Sequence, residues 1–138
     1  MNYKRAVDNP GCMEVKIDTK EKFHVITLPQ GNLSATMTEE LYESLLGYLR
    51  SDIKNVVLNL KELRSIDNAS AEILVKIQQK FYESNASFVI CELNRDVEDF
   101  LDKVRLLELM NITPTEIEAG DIVQMEEIER ELLDGEAL

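Results

Sequence analysis

Metal ligands and reactive side chains are scarce in this chain. Its 138 residues include one histidine, His24, two cysteines, Cys12 and Cys91, and no tryptophan. A structural zinc site normally needs about four cysteine or histidine ligands, so the composition excludes one. The two cysteines are far apart and match no metal or redox spacing, and we expect both thiols to be free in a reducing cytosol, bacterial or other. A lone histidine within a predicted strand indicates a packed or exposed side chain rather than a catalytic base.

Positive charge is also in short supply. Lys and Arg total 15 against 27 Asp and Glu, which gives a formal net charge of -12. Nucleic acids and anionic membranes are bound through clustered Lys and Arg, so this balance argues against both as partners. No apolar run approaches the roughly 20 residues of a membrane span. Residues 1–12 lack the apolar core of a signal peptide. We therefore expect a cytoplasmic protein without membrane insertion, whose partner is another protein.

Signatures of the common enzyme classes are missing as well. The five glycines are isolated and form no phosphate-binding loop. No Cys-His or Ser-His-Asp set is present in which an oriented base could activate a nucleophile. Adjacent acids such as Glu39-Glu40 point about 100° apart on a helix and do not converge on one atom. The sequence thus predicts a protein that is not an enzyme and has no cofactor and no metal.

Hydrophobic periodicity predicts an α/β domain with a mixed sheet. Residues 14–19 and 23–28 alternate as two strands of an antiparallel hairpin. Beyond the hairpin, helices are predicted at 38–51, 68–83, 94 or 96–110 and 121–133, and strands at 55–60, 87–93 and 112–117, with Thr38 as the cap of the first helix. This alternation predicts a sheet that is mostly parallel after the hairpin, with about four helices. Residues 1–13 are expected to be a flexible N-terminal arm, and 14–138 a single domain.

The C-terminal region is strongly acidic. Residues 112–138 contain nine acidic residues and one basic residue, Arg130. The last predicted helix places Met125, Ile128 and Leu132 on one side. A solvated acidic face is one interpretation of this region, and a docking face for a basic partner is the other.

One junction carries a more specific pattern. The chain passes from the predicted strand at 55–60, which contains Asn59, through Ile66-Asp67 into the helix at 68–83. This passage resembles the STAS domain of bacterial anti-sigma factor antagonists, where a strand reading apolar-apolar-Leu-Asp-Leu precedes Ile-Asp-Ser-Ser-Gly-Leu-Gly at a helix start. Asn59 stands where the strand Asp is usual, and Gly31-Asn32-Leu33 is similar to the Gly-x-Leu that follows the second strand. The order of elements agrees over about 14–133.

The resemblance implies a regulatory protein that binds an anti-sigma factor kinase and is phosphorylated by it on the second Ser of Asp-Ser-Ser-Gly. In this chain Asp67 retains the Asp, Asn68 replaces the first Ser, Ala69 replaces the acceptor, and Ser70 replaces the Gly. The acceptor hydroxyl is therefore missing where the family has it. Helical periodicity directs Ser70 toward the sheet, where its hydroxyl can bond backbone, so packing is favoured over phosphorylation. Asp67 is expected to cap the helix, to contact the partner, or to do both.

These implications define an expected binding surface at the helix start. Its partner-binding residues are Asp67, Asn68, Ala69, Ser70 and Glu72, with the loop 31–37 beside them. We expect either a constitutive binder of the kinase or regulation through the partner. Ser70 is the alternative phosphosite at the motif, and Ser65, Thr36 and Thr38 also stay open.

Two other functions remain compatible with the sequence. STAS modules also serve as regulatory or scaffold subunits of transporters and signalling assemblies. A small-molecule binder would instead need a concave pocket with a few convergent polar groups. Self-association is a further open question, because a homodimer could form through the N-terminal arm or through an unpaired edge at 15–17.

Overall fold

The computed structural model describes the backbone of residues 3–5 and 14–136 and the side chains of residues 14–134. These residues form the strands β1 (Tyr3–Arg5), β2 (Glu14–Thr19), β3 (Phe23–Thr27), β4 (Asn32–Leu33), β5 (Asn55–Asn59), β6 (Ser65–Ile66), β7 (Phe88–Cys91) and β8 (Ile112–Thr113). The helices are α1 (Ala35–Leu46), α2 (Asn68–Glu83), α3 (Arg95–Lys103) and α4 (Glu116–Glu136), with short 3-10 turns at Gly47–Arg50 and Leu107–Leu109.

The main sheet is mixed, as the alternation of elements predicts. Its strand order is β1-β2-β3-β5-β7-β8. The pairs β1/β2 and β2/β3 are antiparallel, and β3/β5, β5/β7 and β7/β8 are parallel. The predicted hairpin and the parallel remainder are both confirmed. A second, two-stranded sheet pairs β4 with β6 in parallel, and no pattern in the sequence predicts it.

The sheet is covered by helices on both faces. On one face, α1 and α2 pack against β5 and β7 through residues such as Leu45, Leu58 and Phe81, each almost fully buried. On the other face, Val123 of α4 packs against Phe23 of β3 and against Val57 and Val89. Every residue of β5 and β7 is buried, which explains why these strands are continuous apolar runs rather than alternating ones.

The predicted start of the first helix is wrong. The α1 helix begins at Ala35, because Ser34 is the capping residue and its hydroxyl accepts a hydrogen bond from the amide of Met37 at 3.4 Å. Thr38 lies within the first turn, fully buried, and its hydroxyl donates to the Ser34 carbonyl at 2.7 Å. The Thr38 side chain thus bonds the backbone of the preceding turn instead of capping the helix.

The third helix is shorter than predicted. It begins after Asn94, one of the two predicted starts, whose side chain accepts from the amide of Val97 at 3.0 Å. It ends at Lys103, and Arg105 then adopts a left-handed backbone with φ of 64°. A non-glycine residue in that region stops an α-helix, so the apolar residues that follow form only the 3-10 turn.

Part of the expected N-terminal arm belongs to the sheet. Residues 3–5 form β1, with Tyr3 opposite Lys16 and Arg5 opposite Glu14. The edge of β2 that the sequence left open is therefore paired. Residues 1–2 and 6–13, including Cys12, lie outside the described residues, so the predicted flexibility of that segment is untested.

The last helix begins earlier than predicted. Pro114 precedes it, and the Thr115 hydroxyl accepts from the amide of Glu118 at 3.2 Å, which caps a helix that starts at Glu116. Its sheet-facing residues include Ala119 and Val123. A side chain at Gly120 would come within 2.9 Å of the Phe23 ring, so the missing side chain permits the close approach of α4 to β3.

Candidate functional site

The predicted site lies where the chain leaves β6 and enters α2. Asp67 is in extended conformation, with φ of -92° and ψ of 170°, and its Oδ1 accepts from the amide of Ser70 at 2.7 Å. The Asp67 carbonyl also accepts the first helical bond, from the amide of Ala71 at 3.0 Å. Asp67 is therefore the N-cap of α2, as predicted. Hydrogen bonding, chiefly from the Ser70 amide, holds the pKa of this exposed carboxyl below its ordinary value.

The small sheet brings the start of α1 beside the start of α2. Leu33 of β4 is opposite Ile66 of β6, and the Gly31 carbonyl accepts from the amides of Arg64 at 2.7 Å and Ser65 at 3.2 Å. The predicted proximity of the loop 31–37 to the helix start is thus confirmed, and paired backbone holds the two together. The first turn of α1 belongs to the same edge of the molecule.

Four of the five predicted binding residues are exposed together at the helix start. Asp67, Asn68, Ala69 and Glu72 are exposed, and we call them the α2 tip. The Asn68 amide donates to Glu72 Oε1 at 2.9 Å, which holds these two side chains across one helical turn. The tip therefore presents two carboxylates, an amide and a methyl group on a capped and ordered helix end.

Ser70, the fifth residue, lies beneath the tip. Its side chain is fully buried, and its hydroxyl donates to the Leu33 carbonyl at 3.3 Å. This is the sheet-facing orientation that the helical periodicity of the sequence predicts. A partner or a kinase cannot reach the hydroxyl unless the first turn of α2 separates from β4, so Ser70 supports the surface without being part of it.

The other candidate phosphosites differ in accessibility. Thr38 is fully buried and already bonded to the Ser34 carbonyl, whereas Thr36 and Ser65 are exposed. Both exposed hydroxyls lie on segments that flank the α2 tip. They are the accessible alternatives at this edge, because Ala69 offers no hydroxyl.

Asn59, which stands where the strand Asp is usual in the STAS motif, lies outside the α2 tip. It is buried at the end of β5, where its amide donates to Glu116 Oε1 at 2.9 Å and its Oδ1 accepts from the amide of Lys61 at 2.9 Å. Asn59 thus links the beginning of α4 to the sheet. Nothing in the local sequence pattern indicates this role, because its partner is distant in the chain.

The described residues offer little for covalent or metal chemistry. No group of three His, Cys, Asp or Glu among them could hold a metal ion. Cys91 is free and buried, and burial raises the pKa of its thiol to about 12, so the thiol stays protonated at neutral pH. No helix in the described part of the chain is long and apolar enough to span a membrane.

A surface groove offers limited support for small-molecule binding. It has a volume of about 450 Å³ and is lined by Leu93, Glu98, Leu107, Met110, Ile112, Thr113 and Pro114. None of the α2 tip residues contributes to it. The groove and the predicted binding surface are therefore separate features of the molecule.

His24 is a packed residue rather than a catalytic base. Its Nε2 donates to the Ile53 carbonyl at 3.1 Å, which leaves Nδ1 to accept from the Thr19 hydroxyl at 2.9 Å. Its ring lies 4.5 Å from that of Tyr48. Both nitrogens are engaged in a neutral imidazole, and burial lowers the pKa of His24 below its ordinary value, an effect that the bond to Ile53 only partly offsets.

The pKa of His24 can be measured directly, because the chain has one histidine. We expect an NMR titration of the folded protein to give a pKa below 6.5. The folded state then binds protons less readily than the unfolded state, so the His24 contribution to stability is complete above about pH 6.5 and is lost as the pH falls from there through the lower pKa of the folded state. The same titration in urea is the control. A folded pKa at or above the urea value would contradict this description.

The cap at Asp67 predicts a moderate loss of stability on its removal. Asp67→Ala leaves the Ser70 amide without its partner and should lower the free energy of unfolding by about 1 kcal/mol. Asp67→Asn retains an accepting oxygen and should cost less. Urea unfolding at neutral pH measures both variants, and equal losses for the two would show that the charge of Asp67 matters more than the cap.

Comparison with known proteins agrees with this fold. The STAS domain family matches residues 14–119, and the chain belongs to that family. An anti-sigma factor antagonist from Mycobacterium paratuberculosis has a similar structure, with a TM-score of 0.68 at 13% identity over 86% of this chain and 99% of the other. Among curated proteins, none matches by sequence.

Two further solved structures share this fold and belong to different classes of protein. The anti-sigma factor antagonist SpoIIAA in its unphosphorylated form is similar with a TM-score of 0.63 at 16% identity, over 80% of this chain and 96% of the other. The murine Slc26a9 anion transporter is similar with a TM-score of 0.61 at 10% identity, over 75% of this chain and 18% of the transporter chain. At these identities the likeness establishes the fold alone.

Proposed function

We propose that this protein is an anti-sigma factor antagonist-like regulator that binds an ATP-binding anti-sigma factor kinase through the α2 tip. Asp67, Asn68, Ala69 and Glu72 form the proposed contact surface, and Ser70 supports it from inside. The protein is proposed to act in the cytoplasm by binding and without catalysis. The observation that carries the proposal is an exposed, capped helix start with Ala69 on its surface and Ser70 buried below it.

The rigidity of the α2 tip supports a role in binding. The cap at Asp67, the bond between Asn68 and Glu72, and the backbone pairing of β4 with β6 restrain the surface before a partner arrives. A surface that is already ordered loses less conformational entropy on association. Affinity can therefore come from a few contacts at the tip.

Ala69 supports the absence of a phosphorylation switch at this tip. A phosphoryl group adds about two negative charges. Beside the carboxylates of Asp67 and Glu72, such a group would repel acidic partner groups and would be costly to desolvate. Ala69 has no hydroxyl to receive it, and the Ser70 hydroxyl is enclosed. We propose constitutive binding, or regulation through the partner.

A second candidate function is a regulatory subunit of a transporter. The similarity of the fold to part of the Slc26a9 chain favours it as the alternative. The α2 tip would then contact a transporter component. The two functions differ in the class of the partner and not in the surface used.

A binding assay with purified partners separates the two functions. The immobilised chain is presented with the histidine-kinase-like ATPase and with the transporter component encoded nearest to its own gene. We expect the ATPase to be retained, and retained less by the variant Ala69→Glu. Retention of the transporter component alone would replace the proposal with the second function. If Ala69→Glu retains its partner as well as the wild type does, the α2 tip is not part of the interface.

A further inference from the structure

The second half of α4 has its polarity inverted relative to an ordinary surface helix. Glu126, Glu127 and Arg130 face the sheet and are half-buried, whereas Met125 and Ile128 face solvent. A helix that packs on one side only normally directs its apolar residues toward the core. The prediction that Met125, Ile128 and Leu132 share one side is confirmed, but that side is not the side that covers the sheet.

A polar network fixes this orientation of the helix. Asn55 Nδ2 donates to Glu127 Oε1 at 2.8 Å, and Arg130 Nη2 donates to Asn55 Oδ1 at 3.2 Å and to Ser87 Oγ at 3.0 Å. The Ser87 hydroxyl donates to Glu126 Oε1 at 2.5 Å. Asn55 and Ser87 are buried, so rotating the helix to bury its apolar side would leave them with unsatisfied hydrogen-bonding groups.

The outward apolar residues share one side of α4. Ile117, Met125, Ile128 and Leu132 follow helical spacing and are 79%, 59%, 55% and 62% exposed. We call these four residues the outer stripe. At 1.5 Å of rise per residue it runs for about 22 Å, which is the length of about four helical turns. A group of exposed apolar side chains on one side of a helix is more typical of an interaction site than of ordinary protein surface.

The charges beside the outer stripe indicate what can cover it. Asp121 lies within the stripe. Glu118 and Glu129 lie along one edge of the stripe, on the side away from the turn that joins β2 to β3. All three carboxylates are exposed. The basic residue of α4, Arg130, is already paired with Glu127 at 3.1 Å and faces the sheet. A complementary ligand therefore needs apolar residues that meet the stripe and cations that meet these carboxylates.

The border toward the β2–β3 turn has a different character. A groove of about 400 Å³ lies there between the turn and α4, and its lining includes Lys20, Lys22, Phe23, Ile128 and Glu131. Lys20 is paired with Asp18 at 3.0 Å. This border carries both signs of charge, so the attraction for a basic ligand is concentrated along Glu118 and Glu129.

A second copy of this chain fits the outer stripe poorly. In a parallel pair of α4 helices, Asp121 and Glu129 would each lie near its own equivalent, and in an antiparallel pair centred on Met125, Asp121 would lie near Glu129 of the other copy. The α4 helix offers no unpaired cation to balance them. Each chain also carries a net charge of -12. Like charges across an interface oppose association, so self-association is the less favourable use of this face.

We infer that the outer stripe of α4 is a docking surface for a basic amphipathic helix of a partner protein. The apolar side of that helix would lie along Ile117, Met125, Ile128 and Leu132, with its Lys and Arg residues toward Glu118 and Glu129. Such helix recognition uses apolar anchors at helical spacing. The surface is on the sheet face opposite α2, so it is independent of the α2 tip and would let the chain hold two partners at once.

A designed peptide tests this surface without knowledge of the natural partner. The probe is a fluorescent peptide of Leu and Lys about 16 residues long, with Leu at helical spacing and a length that matches the stripe. Its control is a peptide of the same composition in scrambled order, which retains the charge but not the apolar side. We expect the full chain to bind the ordered peptide at least about tenfold more tightly than the scrambled one, because only the ordered peptide buries the stripe.

Variants of the chain test whether the peptide binds at the outer stripe. Met125→Gln with Ile128→Gln should weaken binding at least about tenfold, and Glu118→Lys with Glu129→Lys should weaken it and reduce its salt dependence. Leu109→Gln removes an apolar side chain that is 52% exposed outside α4 and should have no effect. Ala69→Glu should also have none, which separates this surface from the proposed function.

Three outcomes of the peptide experiments would overturn the inference. They are equal binding of the ordered and scrambled peptides, unchanged binding by the Met125→Gln and Ile128→Gln variant, and NMR shift changes that lie outside α4. Sedimentation gives an independent check on the occupant. A wild-type dimer that becomes a monomer on Met125→Gln and Ile128→Gln would assign the stripe to a second copy and refute the basic partner.

Discussion

Ser70→Asp is expected to lower the free energy of unfolding by about 3 to 5 kcal/mol, because it places a carboxylate without a cationic partner in a buried position. Ser70 is fully buried, and the Leu33 carbonyl, which accepts its hydroxyl bond, would face the new negative charge. The carboxyl must either stay charged without solvation or take up a proton at neutral pH. Urea unfolding followed by circular dichroism measures the loss.

Ala69→Asp is the matched control, one residue earlier in the helix. Ala69 is exposed in the first turn of α2, where the helix dipole favours a negative charge and the neighbouring Asp67 opposes it. The change should stay within about 0.5 kcal/mol of wild type. Comparable losses for the two variants would show that residues 69 and 70 do not differ in burial, and would contradict the placement of Ser70 beneath the tip.

Ala69→Glu is expected to weaken the proposed kinase complex about 30-fold or more. The substitution adds bulk and a third negative charge to a surface that already carries Asp67 and Glu72, and a change at the centre of an interface commonly costs about 2 kcal/mol or more. Isothermal titration calorimetry with the purified ATPase measures the affinity. The exposure of Ala69 means that the variant should unfold at the same urea concentration as wild type.

Two controls keep this binding result specific. Ala69→Ser changes the size of the side chain little and should bind about as tightly as wild type in the absence of ATP. Glu129→Lys alters charge on the opposite sheet face and should leave the affinity for the kinase within about twofold. A kinase that binds Ala69→Glu as tightly as wild type would show that the interface lies elsewhere.

The elements predicted most accurately from the sequence are those in which the local residue pattern and the tertiary environment favour the same structure. The bounds of α2, 68–83, follow from an Asp at the cap position and an apolar stripe at helical spacing, and the structure has the same bounds. The orientation of Ser70 follows from the same periodicity. The buried central strand β5 follows from its uninterrupted apolar run. The role of the α2 tip in partner binding remains a prediction.

The features that the sequence did not predict depend on distant partners. The β4–β6 pair joins two segments of two residues each, too short to show a period, and β1 is defined only by its pairing with β2. The start of α4 at Glu116 could have been found, because Thr115 and Glu118 have the spacing of a capping box. The outward orientation of the outer stripe could not have been found from the sequence. Apolar spacing shows which residues share one side of a helix, but it does not show which side packs against the sheet.

Incubation of the wild-type chain and of Ala69→Ser with the cognate kinase and Mg-ATP, followed by mass spectrometry, tests the central claim most directly. Because Ala69 lacks a hydroxyl and that of Ser70 is enclosed, we expect no phosphate on residues 67–72 of the wild type and one phosphate at the substituted position of Ala69→Ser. Phosphate on Ser70 of the wild-type chain would contradict the account, because it would require the first turn of α2 to open to the kinase.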